Sequence, residues 1–65
     1  MALNLNQASE KEIASAVPEI GQGKAHSLVE YRNQKGNFKS WDDVKRVPGF
    51  SDEVVDIIKQ KGAMM

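Results

Sequence analysis

A proline-containing turn occurs twice in this chain, and the two copies lie 30 residues apart. The first is VPEIG at residues 17–21, and the second is VPGFS at residues 47–51. Proline lacks an N–H group and its ring clashes with the preceding helical turn, so each copy should end one helix. The small residue that closes each copy permits a tight reversal into the next helix. The repeat therefore predicts two similar units, in each of which a short turn joins two helices.

Local signals around the two turns predict four helices and no strand. Ser9 with Glu12, and Ser40 with Asp43, have the spacing of a capping box, which marks the start of a helix. No stretch alternates apolar and polar residues as a half-buried strand would. The predicted helices cover about residues 9–16, 22–34, 40–47 and 51–61.

Length and charge restrict what the chain can be. Its 65 residues favour a single domain, and the absence of cysteine means that packing alone must hold the fold together. Nine basic residues balance nine acidic ones, whereas most nucleic-acid-binding domains are basic overall. The charge is unevenly distributed, because residues 1–21 carry −2, residues 22–41 carry +3 and residues 42–65 carry −1.

The order of these motifs resembles the helix-hairpin-helix domain of the ComEA family of DNA-uptake receptors, over about residues 3–61. The matching segments are LNQAS at 5–9, VPEIGQGKA at 17–25, YR at 31–32, GNFKS at 36–40, DV at 43–44 and VPGF at 47–50. The resemblance implies that hairpins and the helix N-termini behind them hold DNA phosphates without reading sequence. The same fold occurs in an extrinsic subunit of photosystem II, where it contacts protein, so fold alone does not decide the function.

The fold expected from repeat and resemblance is all-α. Two helix-hairpin-helix units should pack pseudo-symmetrically in a SAM-like domain of four to five helices that spans residues 1–65. Hairpin 1 is placed at about residues 17–23 and hairpin 2 at about residues 47–52. The predicted core consists of Leu3, Leu5, Ala8, Ile13, Val17, Ile20, Ala25, Leu28, Val29, Phe38, Trp41, Val44, Val47, Phe50, Val54, Val55 and Ile58.

The start of the second helix has the composition of an anion site. The first N–H groups of a helix have no internal partner and lie at the positive end of its dipole. Glycines there allow a phosphate to approach the backbone, and a lysine adds a positive charge. The residues predicted to contact DNA phosphates are Gly21, Gln22, Gly23, Lys24, Arg32, Lys35 and Lys39. For Arg32, pairing with Glu30 or another acid is the alternative.

Two acidic features depart from the family pattern. Glu19 stands where the first hairpin of the family has glycine, and its carboxylate should repel phosphate and hinder the turn if that position needs a positive φ. In hairpin 2, Ser51 replaces the second glycine, and Asp52 and Glu53 open the next helix. Hairpin 2 is therefore predicted to be a folding element or a protein contact.

The predicted function is weak, sequence-independent binding of double-stranded DNA; the alternative is a non-catalytic protein-interaction or structural module. We expect no enzyme activity, because one histidine and no cysteine leave little from which to build an active site. His26 is predicted to be a surface residue, and no cofactor, metal or small-molecule substrate is expected. A monomer without a membrane segment is expected. Its compartment is cytoplasmic by default, although a ComEA-like parent protein could be exported.

Overall fold

The computed structural model describes residues 3–65, which form four α-helices, one 3₁₀ turn and two short strands. Helix α1 packs against α2, and α3 packs against α4, so each hairpin joins a pair of neighbouring helices. This arrangement confirms the all-α class. The bounds are β1 Leu3–Asn4, α1 Glu10–Ala16, the 3₁₀ turn Pro18–Ile20, α2 Gly21–Lys35, α3 Trp41–Lys45, α4 Asp52–Gln60 and β2 Ala63–Met64.

Helix α1 begins at the capping box that the sequence predicts. The backbone N–H of Glu12 donates to Ser9 Oγ, and the backbone N–H of Ser9 donates to Glu12 Oε1, both at 3.1 Å. The helix ends before Pro18, and its Ile13 and the following Val17 are fully buried. Local sequence therefore determines both the limits of this helix and the face that it buries.

The capping box predicted at Ser40 is wrong. Helix α3 does follow Ser40, but no cap hydrogen bond is made by the serine side chain. Asp43 Oδ2 instead accepts from the backbone N–H of Lys39 at 3.0 Å. Aspartate is one methylene shorter than the glutamate or glutamine of a full box, and here its carboxylate pairs one residue before the serine. The serine that does cap a helix in this unit is Ser51, whose Oγ accepts from Val54 N at 3.4 Å.

The two ends of the described chain form a feature that the sequence did not predict. Strand β1 pairs in parallel with β2, with Leu3 opposite Ala63 and Asn4 opposite Met64. Leu5 N continues the pairing by donating to Met64 O at 2.7 Å. The prediction of no strand is therefore wrong for these four residues. Strands of two residues are too short to show an alternating pattern, and this pair forms only because distant segments meet in the fold.

The core lies between the two units and follows the predicted positions. Twelve of the predicted residues are buried: Leu5, Ala8, Ile13, Val17, Ile20, Ala25, Leu28, Phe38, Val44, Val47, Val55 and Ile58. The other five pack against this cluster and remain partly exposed: Leu3, Val29, Trp41, Phe50 and Val54. Ala63 of β2 is the buried residue that the prediction missed, because its burial depends on the pairing with β1.

Candidate nucleic-acid interface

Hairpin 1 leads directly from the 3₁₀ turn into α2. Val17 O accepts from Ile20 N at 3.2 Å, and Gly21 follows with φ +77° and ψ 168°. This combination of angles lies in a region open essentially to glycine alone. Gly21 is therefore needed for its backbone conformation, whatever its role towards a ligand.

The N-terminus of α2 is left open by its own residues. No side chain caps it, and its first turn carries no acidic residue. A Cβ placed on Gly21 or Gly23 would meet no atom of another part of the chain within 4 Å, so the space on the side-chain side of both glycines is open. Gln22 and Gly23 are exposed and Lys24 is half-buried. Within residues 3–65, no acid forms a salt bridge with Lys24, so its charge remains available to an anion.

Glu19 does not hinder the turn in the way that the sequence suggested. Its φ is negative, since the residues with positive φ in the described chain are all glycines, and it fits the 3₁₀ turn. Its carboxylate Oε2 lies 2.7 Å from Lys61 Nζ, at the end of α4. The hydrogen bond from Lys61, helped by a backbone hydrogen bond, lowers the pKa of Glu19 below its ordinary value. The carboxylate is thus charged and paired.

Hairpin 2 has the same residue pattern but a different turn. Val47 O accepts from Phe50 N at 3.0 Å, with Pro48 at the second position and Gly49 at the third, where φ is +87°. Proline followed by a residue of positive φ is the pattern of a type II turn. The glycine at position 49, where hairpin 1 has Glu19, therefore changes the turn type between the two copies.

The helix behind hairpin 2 is closed to an anion by its own side chains. Ser51 Oγ accepts a hydrogen bond from the backbone N–H of Val54, one of the first in α4. Asp52 and Glu53 lie in the first turn of the same helix. Lys45 Nζ lies 2.6 Å from Asp52 Oδ1, and this contact lowers the pKa of Asp52 and raises that of Lys45. The helix dipole is therefore satisfied internally, in contrast to that of α2.

Arg32 forms no salt bridge with Glu30 or any other acid within residues 3–65. Its Nη1 donates to Leu5 O at 2.9 Å and to Ala8 O at 2.6 Å. Both carbonyls belong to the segment between β1 and α1, and all three residues are at least partly buried. The guanidinium thus ties the N-terminal segment to α2, which gives Arg32 a structural role.

Lys35 and Lys39 lie at the other end of α2 from the open N-terminus. At 1.5 Å per residue, the eleven positions between Lys24 and Lys35 correspond to about 16 Å along the helix axis. Lys39 follows in the loop before α3, and both lysines are exposed. The structure therefore brings together Gly21, Gln22, Gly23 and Lys24, whereas Lys35 lies at the other end of the helix and Lys39 in the loop beyond it.

His26 is a surface residue, 58% exposed, between two acids on neighbouring helices. Its Nδ1 lies 2.6 Å from Glu10 Oε1 of α1, and its Nε2 lies 3.2 Å from Glu30 Oε2 of α2. The hydrogen bond to Glu10 and the charges of both acids raise the pKa of His26. With both ring nitrogens occupied by carboxylates, the imidazole is not directed to an incoming phosphate.

Two polar residues that shape this surface were missed by sequence reasoning. Asn6 Oδ1 accepts from Phe38 N at 2.7 Å, and its Nδ2 donates to Phe38 O at 3.0 Å, so one side chain holds the loop after α2. Lys61 is the counter-ion of Glu19. Asn6 stands inside the family-like LNQAS segment, which was the available signal, whereas no local pattern marks Lys61.

No candidate metal or membrane site is found in the part of the chain that the structure describes. Within residues 3–65, no three His, Cys, Asp or Glu side chains are grouped so that they could hold a metal ion. Among the same residues, no helix is both long and apolar enough to span a bilayer.

Comparison with known proteins gives one family match and several relatives. Residues 2–61 match the family model described as helix-hairpin-helix motif. An endonuclease/exonuclease/phosphatase family domain-containing protein 1 of Danio rerio is 37% identical over 57 residues, which are 88% of this chain and 10% of that protein. ComE operon protein 1 of Bacillus subtilis is 28% identical over 57 residues, 88% of this chain and 27% of that protein.

A third relative, an uncharacterized protein of Haemophilus influenzae, is 33% identical over 54 residues, which are 83% of this chain and 48% of that protein. The chain thus spans between a tenth and about half of the length of these relatives. No solved structure matches the chain significantly.

Proposed function

The chain belongs to the helix-hairpin-helix family, and on that premise we propose that it binds the backbone of double-stranded DNA at hairpin 1, without reading base sequence. Membership in this family, together with the likeness to ComE operon protein 1, supports nucleic-acid binding in general. The observation that carries the proposal is the open N-terminus of α2, which has no side-chain cap and no acid in its first turn, beside a lysine that has no salt-bridge partner within residues 3–65.

The proposed contact uses the backbone more than the side chains. The backbone N–H groups of Gln22 and Gly23, two exposed residues, would donate to phosphate oxygens at the end of α2 where the helix dipole is positive. Gly21 and Gly23 leave the space that a phosphate needs, because no atom would meet a Cβ there. Lys24 adds a point charge and releases a counter-ion from the DNA when it binds.

Arg32, Lys35 and Lys39 have a smaller part in this proposal than in the sequence prediction. Arg32 Nη1 is occupied by two carbonyls, so we assign it to the fold. Lys35 lies about four helical turns from Gly21, and Lys39 follows in the loop beyond α2, so both would act through their long-range field. A site with so few direct cations should bind weakly, with a Kd on the order of 10⁻⁴ to 10⁻⁵ M near physiological salt.

The proposed module binds without catalysing a reaction. One relative is named for endonuclease, exonuclease and phosphatase domains, but this chain corresponds to only 10% of that protein. That name therefore gives no reason to assign its activity to this segment. A contact made of backbone N–H groups and one lysine fits a domain that positions DNA for another part of a larger protein.

A salt titration tests the proposal. Fluorescence anisotropy of a labelled DNA duplex is measured with the wild-type chain and with Lys24→Glu at several salt concentrations. We expect wild-type binding to weaken with salt, and the variant to bind much more weakly with a log–log salt slope smaller by about one. Lys35→Glu is the matched control, since it makes the same charge reversal at the other end of α2.

Equal losses for the two lysine variants would refute a site at hairpin 1 and indicate a diffuse attraction. Absence of wild-type binding at low salt, with the helical circular dichroism intact, would refute DNA binding and favour a protein partner.

Gly23→Ala separates binding from folding. Gly23 lies inside α2 at negative φ with open space around it, so alanine should leave the fold intact or stabilise it by up to about 1 kcal/mol. The added methyl group nevertheless stands where the phosphate would approach the backbone. We expect weaker DNA binding at unchanged or higher Tm, and unchanged affinity would contradict the close approach.

A further inference from the structure

The second unit contributes a side chain to hairpin 1. Lys61 caps the C-terminus of α4, where its backbone N–H is bonded to Ile57 O and Ile58 O, both at 3.2 Å. Gly62 and β2 follow immediately, and the pairing of β2 with β1 fixes the direction of the chain there. From this position the Lys61 ammonium reaches Glu19 of the 3₁₀ turn at 2.7 Å.

Glu19 is the acid nearest in sequence to the open N-terminus of α2. It precedes Gly21 by two positions, whereas the first turn of α2 itself has no acid. A carboxylate this close to the N-terminus of a helix without a side-chain cap is the type of group that the first N–H groups of a helix bind. If it were free to turn, Glu19 would compete with a phosphate for those donors.

We propose that Lys61 is a positioning residue for DNA binding, which holds the Glu19 carboxylate away from the N-terminus of α2 and keeps the phosphate site open. The inference rests on the proposed function and names the residue that keeps hairpin 1 able to bind phosphate. It also explains how the chain tolerates an acid where the family pattern has glycine. Hairpin 1 would then be active only when the second unit and the terminal strand pair are folded.

The chain contains a matched control for this role. At hairpin 2, Lys45 Nζ pairs with Asp52 Oδ1 at 2.6 Å, which is the same kind of exposed lysine–carboxylate contact. Losing Lys45 removes the same charge and a similar ion pair, but beside a helix that Ser51 already caps. If Lys61 acts by holding Glu19, its loss should weaken DNA binding more than the loss of Lys45 does.

The test is a double-mutant cycle in DNA binding. Lys61→Met keeps the length of the side chain and removes its donor, and Glu19→Gln removes the competing charge. Anisotropy at low salt is measured for the wild type, both single variants, the double variant and Lys45→Met. Loss of one unit charge about 8 Å from a phosphate in water corresponds to roughly a twofold change in affinity. We expect Lys61→Met to exceed this, weakening binding about fivefold, and Lys45→Met to stay near twofold.

In the Glu19→Gln background, Lys61→Met should weaken DNA binding only by the roughly twofold effect of losing one charge, because no carboxylate remains to be held. Equal weakening in both backgrounds would overturn the inference and make Lys61 a direct DNA contact. If Lys24→Glu abolishes binding while Lys61→Met does not change it, the inference fails and the proposed function stands. If the wild type does not bind, both fail.

A measurement without DNA checks the pair itself. The pKa of Glu19 is followed by NMR in the wild-type chain and in Lys61→Met, with circular dichroism to show that both are folded. The Lys61 hydrogen bond is the main cause of the lowered pKa, so its loss should raise the Glu19 pKa towards its ordinary value. An unchanged pKa would show that Lys61 does not hold the carboxylate, and the inference would fall.

Discussion

Replacing Arg32 by alanine should destabilise the domain and leave the phosphate site intact. The Nη1 group is the hydrogen-bond partner of two carbonyls, Leu5 O at 2.9 Å and Ala8 O at 2.6 Å. Without it, these carbonyls are left to water at a partly buried position. A buried carbonyl that loses its partner costs about 1–3 kcal/mol, and the partial exposure of Arg32 argues for the lower half of that range at each. At about 1–2 kcal/mol for each of the two carbonyls, the expected loss in the free energy of unfolding is about 2–4 kcal/mol.

That loss is large for a chain of 65 residues. Domains of this size have a free energy of unfolding of roughly 3–10 kcal/mol, and 1 kcal/mol corresponds to about 4–8 °C in Tm. We therefore expect Arg32→Ala to lower Tm by roughly 10–30 °C in thermal melts followed by circular dichroism. Urea titration at 25 °C should give the same order of loss. Arg32→Lys, with one shorter-reaching donor group, should lie between wild type and alanine.

Lys35→Ala is the matched control, because it removes the same charge from an exposed position of the same helix. It should change stability by less than about 0.5 kcal/mol. DNA binding is then compared at a temperature where every variant is fully folded, and there Arg32→Ala should resemble Lys35→Ala. A variant with wild-type stability and strongly reduced DNA binding would refute the structural role and make Arg32 a phosphate contact.

Three further predictions concern the caps, the turn and pH. Ser9→Ala should cost about 1 kcal/mol in thermal melts, because the capping box at α1 is complete, whereas Ser40→Ala should cost less than about 0.5 kcal/mol; equal losses would contradict the difference between the two serines. Gly21→Ala should cost about 1–3 kcal/mol from its backbone angles alone, since the new methyl group meets no atom; an unchanged urea midpoint would show that the turn relaxes freely. His26 has a raised pKa in the folded chain, mainly through Glu10, so its contribution to stability is full below its ordinary value of 6.5 and is lost as pH rises through the folded pKa. Tm should therefore be higher at about pH 6 than at about pH 8.5, and His26→Gln should remove this component of the pH dependence.

The helices and most of the core could be predicted because their signals are local. Ser9 and Glu12 lie within one turn, Pro18 ends its helix by its own geometry, and the spacing of Ile13 and Val17 places both on the buried face. Each of these causes acts over a few residues. Whatever packing followed elsewhere, they would give the same helix limits and the same apolar face.

The contacts that were missed join residues far apart in the sequence. Arg32 bonds to Leu5 across 27 positions, and Asn6 bonds to Phe38 across 32. A polar side chain has no periodic pattern that identifies its partner, so these bonds follow only from the packed arrangement. Arg32 is the instructive case, since its basic side chain suggested a ligand contact, and in the folded chain its Nη1 donates to two backbone carbonyls.

The two hairpins differ in which position holds the glycine with a positive φ, and this difference decides whether a side chain can cap the following helix. Gly49 adopts positive φ in the third position of hairpin 2, and Ser51 two residues later is then in extended conformation and able to cap α4. In hairpin 1, Glu19 occupies that third position at negative φ, and the positive φ falls instead on Gly21, which has no side chain with which to cap α2. A capping serine contributes about 1 kcal/mol, which hairpin 1 forgoes. The absence of a side-chain cap at the N-terminus of α2, where phosphate binding is proposed, therefore follows from the position of the glycine in hairpin 1.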